Sequence, residues 1–477
     1  MGSHLQSTSD DEIHDLVCVG FGPASLAIAV ALHDALDSPK DASNLQTTRP
    51  KVRFLERQSN FAWHAGMLLP GAKMQITFIK DLATLRNPRS EFTFLNYLYR
   101  KDRLVHFTNL STFLPQRIEY EDYMRWCANH FTDVVSYSQN VESILAGPTN
   151  PKTGSVEYFT VTSFNTSTGA TTTLKSRNVT IAAGGKPSLP APLASAYPHP
   201  RVIHSSQYAT TIPTLFPPGT APPRSVAVIG GGQSAAEIFH NIPQRFPITQ
   251  PGQHPTKAYL LIRGAALKPS DDSPFVNEIF DPERVNEVWG MEASRRKEAL
   301  IRDKGTNYGV VRPELLEELY GELYAQRVRG VEEQRILSYR EVVGVQTDGV
   351  KGGDGAVRLQ VRDLRADEGN AQEELDVDLV VVASGYRRDA HEEMLRGVRH
   401  LMPNGGGEEG RKWEVGRDYR VKTQPGAVGD QAGIWLQGCN EGTHGVSFFP
   451  FLLSFPQLPW RVFDSMKDRA NIYRACS

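Results

Sequence analysis

An apolar run near the start of the chain passes into a glycine-rich turn and then into apolar positions at helical spacing. Residues 14–36, HDLVCVGFGPASLAIAVALHDAL, predict a strand, a turn and a helix in that order. The same order returns in residues 224–242, RSVAVIGGGQSAAEIFHNI, where Gly230 takes the place of Gly20. The pattern therefore predicts two units of one kind along the chain.

A further apolar strand that ends in small residues follows each turn. Residues 178–190, NVTIAAGGKPSLP, provide this strand for the first unit, and residues 378–390, DLVVVASGYRRDA, provide it for the second. Runs of Val, Ile and Ala are typical of strands buried on both faces of a parallel sheet. We therefore expect an α/β protein with two Rossmann-like dinucleotide-binding domains and a smaller, mostly helical segment.

Composition places boundaries between these units. The Pro-rich residues 198–224 are predicted to be a linker, and residues 281–335, dense in Glu, Arg and Leu, are predicted to be amphipathic helices. The Gly- and Asp-rich residues 347–356 and 403–411 are predicted to be surface loops. The predicted units are a disordered leader (1–11), a first dinucleotide-binding domain (12–215), a second one (216–267 and 336–390), a helical segment (268–335) and a return to the first domain (391–477).

Length and charge exclude several function classes. A chain of 477 residues exceeds what one hydrophobic core usually organises. Its net charge of −2 gives no support for binding nucleic acid. The four cysteines form no CxxC pair, so neither a disulfide scaffold nor a metal site is predicted. With no signal peptide or membrane span in the sequence, we expect a cytoplasmic protein.

The first glycine turn has the residues that a dinucleotide needs. Gly20 permits the tight turn, Gly22 lets the backbone approach a pyrophosphate, and the small Ser25 packs against the sheet. The helix that begins near Pro23 supplies amide donors and a positive dipole end. Residues 51–56, KVRFLE, form a second strand, and its terminal Glu56 is placed to hold a ribose hydroxyl after a loop over residues 38–50. A plain glycine turn of an α/β protein is the weaker alternative.

The second turn differs at the end of its next strand. Residues 257–263, KAYLLIR, finish in Arg263, where an arginine can pair with a 2′-phosphate. This arrangement favours NADPH over NADH; alternatively, Arg263 is a solvated charge at the end of a strand. Two such domains imply electron transfer from a nicotinamide to a flavin, and without a CxxC pair the expected electron acceptor is O2.

Longer blocks of sequence resemble the flavin-dependent N-hydroxylating monooxygenases, and most closely the fungal L-ornithine N5-monooxygenases. The resemblance covers residues of roughly 12–446 with few interruptions. Its blocks are ERQSNFAWHAGMLLPGAKMQITFIKDLATLRNPRSEFTFLN, FTNLSTFLPQRIEYEDYMRWC, KPSDDSPFVNEIFDPERV, TNYGVVRPELLEELY and GIWLQGCNEGTHG.

The resemblance implies a reaction and its cofactors. NADPH would reduce FAD, O2 would give a flavin C4a-hydroperoxide, and the side-chain amine of L-ornithine would attack it. The product would be N5-hydroxyornithine for hydroxamate siderophores, made by a homotetramer. A lysine N6-hydroxylase of the same class, an oxygenase acting on sulfur or ketones, and a catalytically impaired relative that binds both nucleotides remain alternatives.

The resemblance also assigns roles to residues. Lys80 and Asn307 would be catalytic. The substrate would contact Lys80, Asn277, Glu278, Ile279, Phe280 and Asn307. The cofactors would contact Gly20, Gly22, Pro23, Ser25, Glu56, Arg57, Trp63, His64, Met74, Gln75 and Val141 on the FAD side, and Gly231, Gly232, Gln233, Ser234, Arg263, Asn307, Tyr308 and Gly309 on the NADP(H) side.

Residue types taken singly favour plainer roles. Lys80 alone would be a solvated lysine beside Asp81, and His64 and His444 are more typical of loop or core histidines than of general bases. The pair Asp271-Asp272 is more typical of a helix cap and turn than of paired catalytic carboxylates.

The chain departs from the family pattern near its end. From Ser447 a Phe-rich stretch with Pro450 and Pro456 replaces the expected polar turn and helix. A gene-model artefact, a variant with altered closure over the flavin and an inactive relative are the three accounts, and the abrupt loss of similarity favours the artefact. Ser384 and Gly309 replace commoner Thr and Ser, which are also small.

Overall fold

The computed structural model describes residues 3–36, 49–248, 254–281, 284–306, 308–347, 356–366, 372–406 and 411–444. Its strands are β1 Ile13–Val19, β2 Val52–Leu55, β3 Val135–Ser136, β4 Gln139–Ala146, β5 Phe159–Asn165, β6 Thr171–Ile181, β7 Lys186–Pro187, β8 Val202–His204, β9 Ser225–Ile229, β10 Lys257–Ile262, β11 Gln334–Ser338, β12 Arg340–Gln346, β13 Val357–Asp363, β14 Gln372–Val377, β15 Leu379–Val382, β16 Tyr386–Arg387 and β17 Gly433–Leu436. Its α-helices are α1 Pro23–Leu36, α2 Phe94–Arg100, α3 Leu104–Thr108, α4 Arg117–Ala128, α5 Ala191–Ala194, α6 Tyr208–Leu215, α7 Gln233–Arg245, α8 Pro274–Asn277, α9 Arg284–Gly290, α10 Ala293–Lys304, α11 Pro313–Arg329, α12 Ala390–Met394 and α13 Glu441–His444.

The first sheet is parallel around β1. Its order is β3-β2-β1-β6, and β17 pairs in parallel with the far side of β6. β6 is long enough to continue into an antiparallel meander with β5 and β4. Apolar side chains of β1 alternate between two core clusters, one under α1 and α4 and the other toward the meander. Burial on both faces explains why the predicted strands have few polar residues.

The second sheet repeats this arrangement. Its strands run in parallel in the order β11-β10-β9-β15-β8, with α7 and α11 packed on one face. The three-stranded antiparallel sheet β12-β13-β14 packs on the other face. Both strands predicted from residues 178–190 and 378–390 therefore lie beside the strand of their own glycine turn.

The observed strand pairing places two boundaries of the second domain elsewhere than the sequence predicted. Residues 198–224 are not a plain linker, because they contain β8 and α6, and β8 pairs with β15 of the second sheet. The second domain therefore begins before residue 216. It also includes α11, whose Leu319 is buried against that sheet, so the helical segment ends before 335.

A short antiparallel pair joins the two domains. β7 follows the first sheet, β16 follows the second, and Tyr386 lies opposite Pro187. The chain therefore crosses between the domains next to the carboxyl ends of both sheets, which is where ligands bind in folds of this type.

The predicted disorder of residues 1–11 is wrong for residues 3–11. Leu5 is 2% exposed in the first core, and the Ser3 hydroxyl donates to Asp133 at 2.9 Å. A bridge between Gln6 and Lys51 places this segment beside β2. The burial of Leu5 and the pairing beside β2 therefore order residues 3–11, although most of these residues are polar.

Several other predictions fall partly or wholly outside the described residues. They concern most of the loops predicted at 38–50 and 347–356, part of the loop at 403–411, Asn307 and the tail from Ser447. Within the described residues, no helix is both long and apolar enough to cross a membrane.

Candidate active site

A cleft of ≈ 1510 Å³ lies where the two domains and the helical segment meet. The first domain contributes the stretch from Trp63 to Lys80 and Arg117, and the second contributes its glycine turn and the ends of β10 and β15. The helical segment closes the remaining side with Phe280 and Tyr308. One cleft therefore reaches parts of the chain that are more than 200 residues apart.

The first glycine turn is shaped by two different constraints. Gly20 has φ +92°, and a Cβ there would lie 2.5 Å from the carbonyl oxygen of Ala182. Its amide donates to the Leu55 carbonyl at 2.7 Å, so β1 and β2 both fix the turn. At Gly22, by contrast, a Cβ would meet nothing within 4 Å. Open space in front of a helix N-terminus is what a pyrophosphate requires, so these residues fit a bound dinucleotide.

Glu56 stabilises the same turn through hydrogen bonds. Its carboxylate accepts hydrogen bonds from the amides of Phe21 at 2.7 Å and Gln58 at 2.9 Å. The side chain is buried at the end of β2, where an acid would reach a ribose. Since a carboxylate offers about four acceptor positions, two remain for a ligand.

The other residues predicted on the FAD side divide between core and surface. Ser25 is fully buried on α1, and Val141 on β4 is 5% exposed in the second core cluster. Arg57 is exposed at the end of β2, and Pro23 begins α1. Trp63, His64, Met74 and Gln75 all line the cleft.

His64 adopts a strained backbone and faces two cations. Its φ of 49° is left-handed, which is rare for a residue with a side chain. His64 is exposed to the cleft, and desolvation by the surrounding protein, helped by the guanidinium groups of Arg117 and Arg388, lowers its pKa. The imidazole is therefore neutral near pH 7 and can form hydrogen bonds without adding charge to the cleft.

The second glycine turn repeats the two contacts that fix Gly20 in the first. A Cβ on Gly230 would lie 2.4 Å from the Ala383 carbonyl oxygen, and the Gly230 amide donates to the Leu261 carbonyl at 3.1 Å. Gly231, Gly232 and Ser234 line the cleft beside it. Sequence spacing alone predicted this duplication.

Gln233 connects this turn to the loop that follows α10. Its side chain accepts from the Arg312 amide at 2.9 Å and donates to Glu237 at 2.9 Å. Tyr308 and Gly309, from the same loop, line the cleft, and Gly309 has φ +70°. Gln233 thus positions the loop as well as the turn.

An ion pair between the two domains lies next to Gln233, which donates a hydrogen bond to one of its members. The Arg117 guanidinium at the start of α4 binds both oxygens of Glu237 on α7, at 2.8 and 2.9 Å. The Arg117 and Glu237 side chains are 12% and 7% exposed. Sequence reasoning missed this pair, because its partners lie 120 residues apart and carry no motif.

Arg263 occupies the predicted position at the end of β10. Its side chain is 77% exposed, and its guanidinium lies 3.5 Å from the carboxylate of Glu341 on β12. Arg362 on β13 binds the same carboxylate, and all three residues line the cleft. Glu341 and Arg362 were not predicted as site residues.

Lys80 lies in the cleft near a predicted substrate residue. Its ammonium is 5.0 Å from the centre of the Phe280 ring, and burial lowers the pKa of Lys80. The neighbouring Asp81 points inward, where its carboxylate accepts from the amides of Ala83, Thr84 and Phe94. Lys80 is thus half-buried in the cleft rather than the solvated lysine that its residue type alone favours.

The remaining predicted substrate residues are not all brought to the cleft. Asn277 donates to the Asp272 carbonyl at 2.9 Å, which fixes the turn before α8. Asn277, Glu278 and Ile279 do not line the cleft, whereas Phe280 does. Asn307 lies outside the described residues.

His444 is a core residue. It is 4% exposed, with its ring 4.0 Å from that of Tyr419 and 4.7 Å from that of Trp289. Burial lowers the pKa of His444 to about 4. These contacts agree with its interpretation as a core histidine. Asp271 accepts from the Ser273 amide at 3.0 Å, as expected for a turn residue.

The model of the family described as L-lysine 6-monooxygenase/L-ornithine 5-monooxygenase matches residues 12–388. The chain belongs to this family. The match spans both glycine turns, the stretch from Trp63 to Lys80 and the ends of β10 and β15. It confirms the resemblance that the sequence blocks indicated.

Individual members of the family are similar over nearly the whole chain. The L-ornithine N(5)-monooxygenase of Cochliobolus heterostrophus is 54% identical over 464 residues, which cover 93% of this chain and 85% of that protein. The enzyme of the same name from Aspergillus oryzae is 51% identical over 451 residues, covering 93% and 86%. The structure of an ornithine N-hydroxylase from Kutzneria sp. 744, with reduced FAD, NADP+ and L-ornithine, has a TM-score of 0.80 at 33% identity and covers 96% of this chain and 100% of that one. These matches confirm the predicted pair of Rossmann-like domains.

Proposed function

We propose that this protein is an NADPH- and O2-dependent N-hydroxylase of L-ornithine that makes N5-hydroxyornithine for hydroxamate siderophores. The observation that carries the proposal is the single cleft, which holds Met74 and His64 of the first domain, the second glycine turn and Lys80. A reductant, a flavin edge and an amino acid can therefore meet in one enclosure. Family membership and the similar ornithine monooxygenases support the choice of substrate.

The two glycine turns hold the two cofactors. Gly20, Gly22 and Glu56 would hold the pyrophosphate and ribose of FAD, and Met74 and His64 in the cleft would contact its flavin. NADPH binds at Gly231 and Gly232. Bound FAD supplies the chemistry that uses electrons from NADPH to activate O2.

Lys80 binds the carboxylate of the amino acid. Its ammonium lies in the cleft beside the ring of Phe280, which is only 8% exposed. An ammonium–carboxylate hydrogen bond fixes the substrate at one end, so that its side chain extends toward the flavin. Asn307 is proposed as the second contact of the substrate.

The amine of the substrate has to be neutral in order to react. An alkylamine has an ordinary pKa of about 10.4. The site must therefore favour the neutral form of the bound amine, or the small neutral fraction of the substrate reacts.

The protein is proposed to act as a homotetramer in the cytoplasm, where NADPH is available. Large apolar side chains on the surface support an assembly: Tyr320 and Val328 on α11 are 70% and 71% exposed, and Tyr99 is 66% exposed. Light scattering on the purified protein would give four chains per particle. A monomer would exclude this part of the proposal.

A product assay tests the function. Purified protein is given FAD, NADPH and O2 with L-ornithine or L-lysine in parallel reactions, and hydroxylated amine is measured. We expect product from ornithine and little from lysine. Product from lysine alone would change the substrate, and the absence of product from both would contradict the activity of this chain.

A further inference from the structure

Arg263, Glu341 and Arg362 form one charge cluster at the mouth of the cleft. Arg263 stands at the carboxyl end of β10, and Glu341 and Arg362 face each other across β12 and β13. The Tyr339 amide donates to the Gly264 carbonyl at 3.1 Å, which holds the antiparallel sheet against the end of β10. The cluster is thus fixed by backbone contacts on both sides.

The two arginines of this cluster share a single carboxylate. The Arg263 guanidinium is 3.5 Å from Glu341, and Arg362 binds the other oxygen of that carboxylate. Arg263 is 77% exposed and Arg362 is 42% exposed, so both can also reach a ligand in the cleft. The Nε atom of Arg362 is enclosed and has no hydrogen-bond acceptor among the described residues.

We propose that Arg362 is a second ligand of the NADPH 2′-phosphate and that Glu341 occupies the place of that phosphate when the nucleotide is absent. This inference rests on the proposed function, in which NADPH is the reductant. A phosphate carries more negative charge and more acceptor oxygens than a carboxylate, so it binds two guanidinium groups more strongly. Binding then requires the Glu341 carboxylate to turn away from Arg263.

The neighbouring basic residues do not fill this role. Arg340 is 13% exposed and is paired with Asp363 at 2.9 Å and with Glu373. Arg358 lies four residues before Arg362 on the same strand, but it pairs with Asp376 at 2.7 Å and does not line the cleft. Arg358 therefore serves as the matched control.

Calorimetric binding of NADP+ and NAD+ to the flavin-loaded protein tests the proposal. We expect Arg362→Gln to weaken NADP+ binding about tenfold, the effect of losing one charged contact, and to leave NAD+ binding unchanged. Glu341→Gln should strengthen NADP+ binding several-fold, because a competing anion is removed. Arg358→Gln should change neither.

A double variant separates a direct contact from an indirect one. If Arg362 only neutralised Glu341, then Arg362→Gln would have no effect in a Glu341→Gln background. We expect the tenfold loss to persist there, and its absence would overturn the proposal. Wild-type protein that does not bind NADP+ would instead contradict the proposed function, whereas tight wild-type binding with no change in Arg362→Gln would overturn only this inference.

Discussion

Gly20 and Gly22 stand two residues apart in one turn, yet their missing side chains serve different purposes. Gly20 is required by the protein itself, because a Cβ there would overlap the Ala182 carbonyl oxygen at 2.5 Å. At Gly22 a Cβ would meet no atom within 4 Å, so the fold itself does not require glycine there. In the proposed function, the bound dinucleotide does. The two positions can therefore be separated by experiment.

Alanine at each position should give opposite results. Gly20→Ala should lower the free energy of unfolding by about 2 kcal/mol, since it combines a backbone clash with a left-handed φ. Gly22→Ala should leave the unfolding of the flavin-free protein unchanged and should reduce the flavin bound per chain. Urea denaturation and flavin absorbance measure the two effects. Equal destabilisation by both substitutions would contradict this reading of the turn.

Lys80 should control the affinity for ornithine and its dependence on pH. Lys80→Ala should raise the KM for ornithine about 10- to 100-fold, because a charged hydrogen bond is lost. Since burial lowers the pKa of Lys80, its ammonium is lost at a lower pH than that of an ordinary lysine. The wild-type KM should therefore rise as the pH increases through that value, and this rise should be absent from Lys80→Ala. Lys101→Ala, at an exposed lysine, is the control and should leave the KM unchanged. An unchanged KM in Lys80→Ala would exclude a contact between Lys80 and the carboxylate of ornithine.

His444 should make the protein less stable in acid. Its pKa is about 4 in the folded state and about 6.5 in an unfolded chain, so between these values the unfolded state binds more protons. The free energy of unfolding should fall by about 3 kcal/mol as the pH drops from 6.5 to 4. His444→Gln should flatten this part of the stability profile, and the exposed His106→Gln should not. An unchanged profile in His444→Gln would assign the acid sensitivity to other groups.

Some site residues could be predicted from sequence and others could not. Gly20, Glu56 and Arg263 follow a local pattern of strand, turn and strand end, so spacing was enough to find them. Glu341 and Arg362 come from an antiparallel sheet that has no motif, and the packing of this sheet on the second domain, together with the contact between Tyr339 and Gly264, brings them to the cleft. Their role depends on tertiary structure that no local pattern contains.

At the scale of elements, α4 and α7 meet across the domain boundary through Arg117 and Glu237. Both side chains are almost completely buried, so each charge depends on the other. Removing one partner of such a pair leaves an uncompensated buried charge, which costs several kcal/mol.

Glu237→Gln should therefore lower the free energy of unfolding by about 3 kcal/mol. The exposed pair of Lys186 and Glu393 offers a control, because Glu393→Gln should change stability by less than about 1 kcal/mol. Chemical denaturation of the two variants and the wild type measures the difference. Equal midpoints for Glu237→Gln and Glu393→Gln would show that the interdomain pair does not stabilise the fold.

Elements were predicted best where both faces of a strand are buried. β1, β9 and β15 contain the apolar runs LVCV, VAVI and LVVV, and each lies in the expected sheet. The prediction of a linker at residues 198–224 was wrong, because its prolines are typical of loops while it contains the three-residue strand β8. This strand is stabilised by pairing with β15 rather than by its own sequence.

At the scale of the whole molecule, two similar domains face each other across one cleft. Each domain presents the carboxyl ends of its parallel strands, and the pair β7 and β16 joins them at that edge. In the proposed function the first domain would hold the flavin and the second would hold NADPH, and Phe280 lies beside Lys80 in the cleft between them. The proposed reaction needs all three parts at once.

The most direct test follows the oxygen atom. The protein is supplied with FAD, NADPH and L-ornithine under O2 labelled with a heavy oxygen isotope. The mass of the product is measured by mass spectrometry, and the consumption of NADPH is recorded in parallel. The account predicts N5-hydroxyornithine that carries one heavy oxygen atom, formed in step with NADPH oxidation. Oxidation of NADPH that yields only hydrogen peroxide and leaves ornithine unchanged would contradict it.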